Sequence, residues 1–237
     1  MKQILIFLIT LSFLGANALL EKIDRNLQPV SSESYKKLTN IEPNGSKKTF
    51  LLYQVKKGKD KMVSLFLEPE SEKGRSTLRR GDNMWLYIPN VGKPIRIASM
   101  QSVVGGVFNN SDIMRLDFSA EYKVTGQKEN SSTYTLTLKA KNDSVAYDKL
   151  IMTVDKKSLT PTKVVCYAST GMLIKTLTYK NIKKFAPGIV RPAVVETVSP
   201  FYKGYKSIMV YGKITPKSFA NEVFTLDNIS KVGTLRR

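Results

Sequence analysis

Arg79-Arg80-Gly81-Asp82-Asn83-Met84-Trp85-Leu86-Tyr87-Ile88-Pro89 runs on through Pro94-Ile95-Arg96-Ile97 into Ser102-Val103-Val104-Gly105-Gly106-Val107-Phe108. The first part alternates, with Trp85 and Tyr87 on one side of a strand and Met84, Leu86 and Ile88 on the other. Gly81-Asp82 supplies the turn of a hairpin between strands at 75–80 and 83–88. Beyond the 93–99 strand the alternation stops, and residues 100–115 read as loop and short helical turns. A β pattern broken by an apolar, glycine-containing flap implies a sheet with a lid.

The grammar on either side is the same. Pro43-Asn44-Gly45-Ser46 joins strands at 35–41 and 48–56, since an Asn-Gly pair suits a tight hairpin turn. Phe50 and Leu52 share one face of the second strand, and Leu51, Tyr53 and Val55 share the other. In the 61–68 strand Val63, Leu65 and Leu67 lie together. A further strand is expected over 116–126, and others follow to residue 214. Leu19, Leu20, Ile23 and Leu27 have helical spacing, which Pro29 ends, and the tail at 216–232 reads as a short closing helix. About eleven short, hairpin-connected strands without a composition break imply one mainly β domain over residues 19–237. Its expected architecture is an incomplete, strongly curved antiparallel barrel with helical elements as lid or plug.

The first eighteen residues are read apart from that domain. Lys2, the apolar run from Ile4 to Leu14 and Ala16-Asn17-Ala18 have the layout of a cleavable secretory leader. The run is shorter than the roughly 20 residues a membrane span needs. The expected product is soluble and exported. A formal net charge of +19 over 237 residues favours anionic partners. Single lysines spread along strands, without a nucleic-acid motif, suit transient contact with anionic membrane surfaces better than nucleic acid, and equally suit a solvated β surface. Cys166, the only cysteine, lies in a strand pattern as a core residue and excludes an internal disulfide.

Chemistry is poorly represented. The chain has no histidine, the commonest general base and metal ligand. No metal, cofactor or catalytic set is expected, and Asp112 with Asp117 reads as turn capping rather than a carboxylate pair. A binding cavity remains. Its expected wall comprises Phe50, Leu52, Leu65, Leu67, Trp85, Tyr87, Ile95 and Ile97. Its expected lid comprises Val103, Val104, Val107, Phe108, Ile113 and Met114, although the same residues equally complete an ordinary core. Trp85 fluorescence is then expected to report lipid uptake.

Gly81-Asp82-Asn83-Met84-Trp85-Leu86-Tyr87-Ile88-Pro89 resembles the Gly-Asp-x-x-Trp-x-Tyr-x-Pro core of a branch of the outer-membrane lipoprotein-sorting (LolA-like) family. Arg96-Ile97, Gly105-Gly106-Val107-Phe108 and Asp112-Ile113 are similar to the steps that follow it, and the likeness extends over most of residues 19–237. The resemblance implies an open barrel that binds lipoprotein acyl chains or other lipid and carries them toward the outer membrane. It implies loading and receiving partners at the two membranes, and a monomer. It also implies an arginine that fastens the lid. Arg79, Arg80 and Arg96, with Asp112, are the candidates for lid fastening or headgroup contact. Gly106-Val107 stands where relatives commonly carry Ser-Asp, which makes the flap more apolar and means that the family's side-chain lid hydrogen bonds do not carry over to those positions. The alternative function is a lipid-sensing or scaffold protein of the same fold that partners a membrane transporter or signalling protein.

Overall fold

Short alternating runs separated by glycine-bearing turns make the chain zigzag, and in the computed structural model, which describes residues 2–115 and 117–236, it does so twice. The first meander comprises β1 (Ser31–Ile41), β2 (Lys47–Lys57), β3 (Lys61–Glu68), β4 (Ser76–Arg80), β5 (Asn83–Tyr87) and β6 (Ile95–Ile97). The second comprises β7 (Tyr122–Glu129), β8 (Thr133–Ala140), β9 (Lys149–Asp155), β10 (Thr160–Tyr167), β11 (Leu173–Ala186), β12 (Ile189–Val198) and β13 (Lys206–Pro216). β1 pairs antiparallel with β13, placing Lys36 opposite Tyr211 and Leu38 opposite Met209. That join makes one 13-stranded sheet in the order β6-β5-β4-β3-β2-β1-β13-β12-β11-β10-β9-β8-β7, against the eleven or so strands expected.

The edge strands β6 and β7 follow one another in the chain and do not pair, so the barrel stays open. The segment 98–121 connects them and carries α2 (Asn110–Ile113) and α3 (Phe118–Glu121). Inner-face residues of both meanders, among them Leu38, Leu52, Met62, Met84, Leu136, Met152, Leu177 and Met209, join one buried cluster. The sheet therefore curves around a single interior. α1 (Lys2–Leu27) covers part of it with a stripe of Ala16, Leu20, Ile23 and Leu27, the spacing of one helix face. The helix continues through the expected cleavage site, and Asn17 Oδ1 there accepts a hydrogen bond from Val124 N at 3.0 Å.

The outer face of β2–β5 is also apolar, and it has a cover of its own. Two 3-10 helices, Asn221–Phe224 and Leu226–Leu235, bring Phe219, Phe224, Ile229 and Val232 onto Tyr53, Val55, Val63, Leu65 and Leu78. Burying each such side chain contributes about 1.5–3 kcal/mol. Val55, Val63, Leu78 and Trp85 form one cross-strand row beneath that cover.

Two local expectations change. The strand expected over 116–126 begins with a helical turn, α3, and only Tyr122 starts β7; Leu116 lies outside the described residues. The cause is long-range: Asp24 of α1 accepts from Phe118 N at 2.7 Å and Ser119 N at 2.8 Å, satisfying free donors of that turn. The 93–99 strand shrinks to β6, three residues at a sheet edge.

Candidate functional site

The connection between the sheet edges does not arch over the interior. It fills it. Val103, Val107, Phe108, Ile113 and Met114 are all buried, and so are the polar residues Asn109 to Asp112 between them. Buried backbone away from a sheet must find side-chain partners, and the inner faces of the strands provide them. Asn40 of β1 donates to Val104 O at 3.2 Å. Gln54 of β2 donates to Ile113 O at 2.9 Å, and Arg79 of β4 to Met114 O at 3.2 Å. Ser207 of β13 accepts from Val107 N at 2.9 Å and donates to Asn40 Oδ1 at 2.7 Å. Lys175 of β11 donates to Val107 O.

The double glycine is a turn with two distinct requirements. Gly105 has φ +72°, and Val104 before it has φ +46°, a strained conformation for a β-branched residue. Gly106 is needed for space, because a Cβ there would stand 2.1 Å from Asn40 Oδ1. Lid hydrogen bonds at Gly106 and Val107 thus form through backbone, where none were expected from side chains: Ser102 Oγ donates to Gly106 O at 2.6 Å.

Asp112 is the electrostatic centre of the lid. It accepts from Lys175 Nζ at 2.8 Å, Arg115 at 3.1 Å and Tyr147 OH at 3.0 Å. With Asn109 it also forms a reciprocal capping box on α2. Burial alone would raise its carboxyl, but Lys175 and Arg115 outweigh that and hold it below the usual range. Arg79 ties the other end of the lid, pairing with buried Glu121 as well as Met114 O. Arg79 and Asp112 are therefore in the lid's fastening, whereas Arg80 is exposed and Arg96 meets Asn83 on the surface.

The expected wall residues divide between two faces. Phe50 and Leu52 join the inner cluster, with Ile97 partly buried against it. Leu65, Leu67, Trp85 and Tyr87 lie on the outer face under the C-terminal 3-10 helices. Ile95 is 48% exposed. Strand parity was right throughout, but which parity faces inward depends on what covers the other side. Trp85 accordingly does not line the interior. Cys166 is buried in the core, and burial pushes its thiol up to about 12.

The sequence reading missed a polar chamber beside the lid. Lys36, Arg191, Tyr211, Arg115, Asp24 and Asp112 line it, with Phe108 and Phe118, and its volume is about 30 Å³. A usable signal was present, since Lys36 shares strand parity with Leu38 and Asn40. A second hollow of about 290 Å³ opens outside the lid, lined by Met100, Val107, Met172, Ile174, Phe201 and Tyr202. Met172 and Phe201 are more than half exposed there. Among the described residues no acidic or sulfur cluster could hold a metal ion, and no helix is long and apolar enough to cross a membrane.

One open sheet wrapped around an interior that its own edge connection fills is an incomplete β-barrel with an internal plug. A LolA superfamily protein from Nitrosomonas europaea superposes with a TM-score of 0.79 at 26% identity, over 89% of this chain and 97% of that one. A DUF1329 family protein from Desulfovibrio piger gives 0.77 at 20% identity, over 92% and 98%. A Vibrio parahaemolyticus domain described as outer-membrane lipoprotein-sorting gives 0.74 at 17% identity, over 90% and 97%. A family model with the description "Uncharacterized protein" matches residues 58–231, and no curated protein matches. The chain belongs to the LolA-like family.

Proposed function

We propose that the protein is a periplasmic carrier that admits lipoprotein acyl chains or another lipid to the interior and moves them toward the outer membrane. The reading includes removal of residues 1–18 on export. It includes partners at both membranes and transient contact with their anionic surfaces.

The construction of the lid supports this most. Segment 98–121 is held to the sheet largely by side chains reaching from the strands rather than by strand pairing, and its one isolated bridge, between Ser102 and Asn109, lies within the segment itself. It can leave as a unit without unzipping a strand. The apolar hollow beside Met100 and Phe201 gives a chain a place to begin. A dozen buried methylenes contribute about 10 kcal/mol before ordering costs, comparable with what displacing Phe108, Ile113 and Met114 would forfeit. Exchange is then close to balanced, as loading and release both require.

The test is mass spectrometry of lipid extracted from the purified full chain, with displacement of a fluorescent fatty acid by palmitate as a second readout. Bound lipid, or displacement that strengthens in Asp112→Asn as the lid loosens, is expected. No extractable lipid and no displacement in either protein would overturn the proposal.

A further inference from the structure

Lys36 is 5% exposed and Arg191 4%, yet neither has a carboxylate partner among the described residues. Both lie against one ring: Lys36 Nζ is 4.9 Å and the Arg191 guanidinium 3.8 Å from the Tyr211 centroid. Arg191 donates to the carbonyls of Leu27 and Pro192 and to the Tyr211 side chain. The third cation facing the chamber, Arg115, gives one nitrogen to Asp112 and leaves Nη1 buried without a partner.

The two carboxylates present do not balance these charges. Asp112 is shared between Lys175 and Arg115. Asp24 faces backbone donors on α3, and burial foremost lifts its carboxyl to about 6. An uncompensated buried charge is costly, and natural interiors pair such groups. Here Lys36 and Arg191 converge on a hollow and on the Tyr211 side chain instead of on a carboxylate. At about 30 Å³ that hollow exceeds the roughly 10–15 Å³ a single water requires. It is far too small for an acyl chain, and its scale is that of a carboxylate or phosphate group.

We infer that the chamber bounded by Lys36, Arg115, Arg191 and Tyr211 is a binding site for an oxyanion, a phosphate or carboxylate group. This goes beyond acyl-chain carriage and stands without it. The oxygens would accept from Arg115 Nη1, which has no partner, and from Lys36 Nζ, which meets only the Tyr211 side chain, while Arg191 and Tyr211 wall the site. The same cations act on the tyrosine: burial would raise its phenol, but Lys36 and Arg191 outweigh burial and bring it down to about 8.

Calorimetry of the full chain with inorganic phosphate, dodecyl phosphate and dodecanol tests the assignment, using the wild type, Lys36→Met and Lys36→Arg. Lys36→Met should fold at least as well as wild type, because burial disfavours the Lys36 ammonium and lowers its pKa. It should bind the anions roughly ten-fold or more weakly, and Lys36→Arg should restore binding. Tight binding of inorganic phosphate would make the ligand a free anion; binding of dodecyl phosphate alone would make it a lipid head group. Dodecanol binding as tightly as dodecyl phosphate, or unchanged anion affinities in Lys36→Met, would overturn the site while leaving lipid carriage intact.

Discussion

Gly106 shows how a single absent methyl positions the lid. Asn40, which occupies that space, is tied to Val104 O and Ser207 Oγ, so it cannot swing away without losing both bonds. Gly106→Ala should cost about 3 kcal/mol through overpacking and the lost hydrogen bonds; an unchanged urea midpoint would contradict this. Asp24 makes a second residue-scale case. Its pKa rises from 3.8 to about 6 on folding, so the native state holds the proton longer. Stability contributed by Asp24 therefore falls as pH rises from about 4 to 6, by about 3 kcal/mol in all. The difference between wild type and Asp24→Asn, measured in urea at each pH, should carry that slope. Tyr211 has the opposite sign. Its phenol is lower in the folded chain, about 8 against 10.0, so stability should rise from pH 8 to 10 and the rise should shrink in Tyr211→Phe. Absorbance at 295 nm gives the phenol midpoint directly.

At the scale of elements, the C-terminal 3-10 helices are an integral layer, and Phe224 is their largest fully buried side chain. Phe224→Ala should lose about 3–5 kcal/mol and red-shift Trp85 emission as water reaches the outer face. Lipid alone should leave that emission unchanged, and a large shift on lipid addition would place Trp85 differently. Strand parity was readable because a two-residue period survives in one sequence, and turn glycines marked most element ends. The facing of β2–β5 was not readable, since Val55, Val63, Leu78 and Trp85 are as apolar as the inner row and their cover arrives more than 130 residues later in the chain. Nor was α3, whose donors are met by Asp24 from 94 residues away. The apolar lid was visible from composition alone. Its fastening was only half visible: Arg79 and Asp112 stand near the motif, whereas Asn40, Lys175 and Ser207 converge only through folding.

For the whole molecule, the lid and the sheet should respond differently to ligand. On lipid uptake, amide hydrogen exchange should accelerate across 98–115 while β8–β10 keep their protection, because the sheet ladders do not depend on the plug. Uniform protection, or loss spread over the strands, would contradict exchange of the lid as a unit. The outer layer on β2–β5 adds a mechanical asymmetry to this picture. That half of the sheet is clamped between two apolar layers, like a laminated beam, while β8–β11 carry apolar packing on the inner face alone. Bending stiffness rises steeply with the number of bonded layers, so any widening of the interior on ligand uptake should be taken up by the second meander flexing against a stiffer first one. The C-terminal tail, packed on the outer face, would thereby set which wall yields.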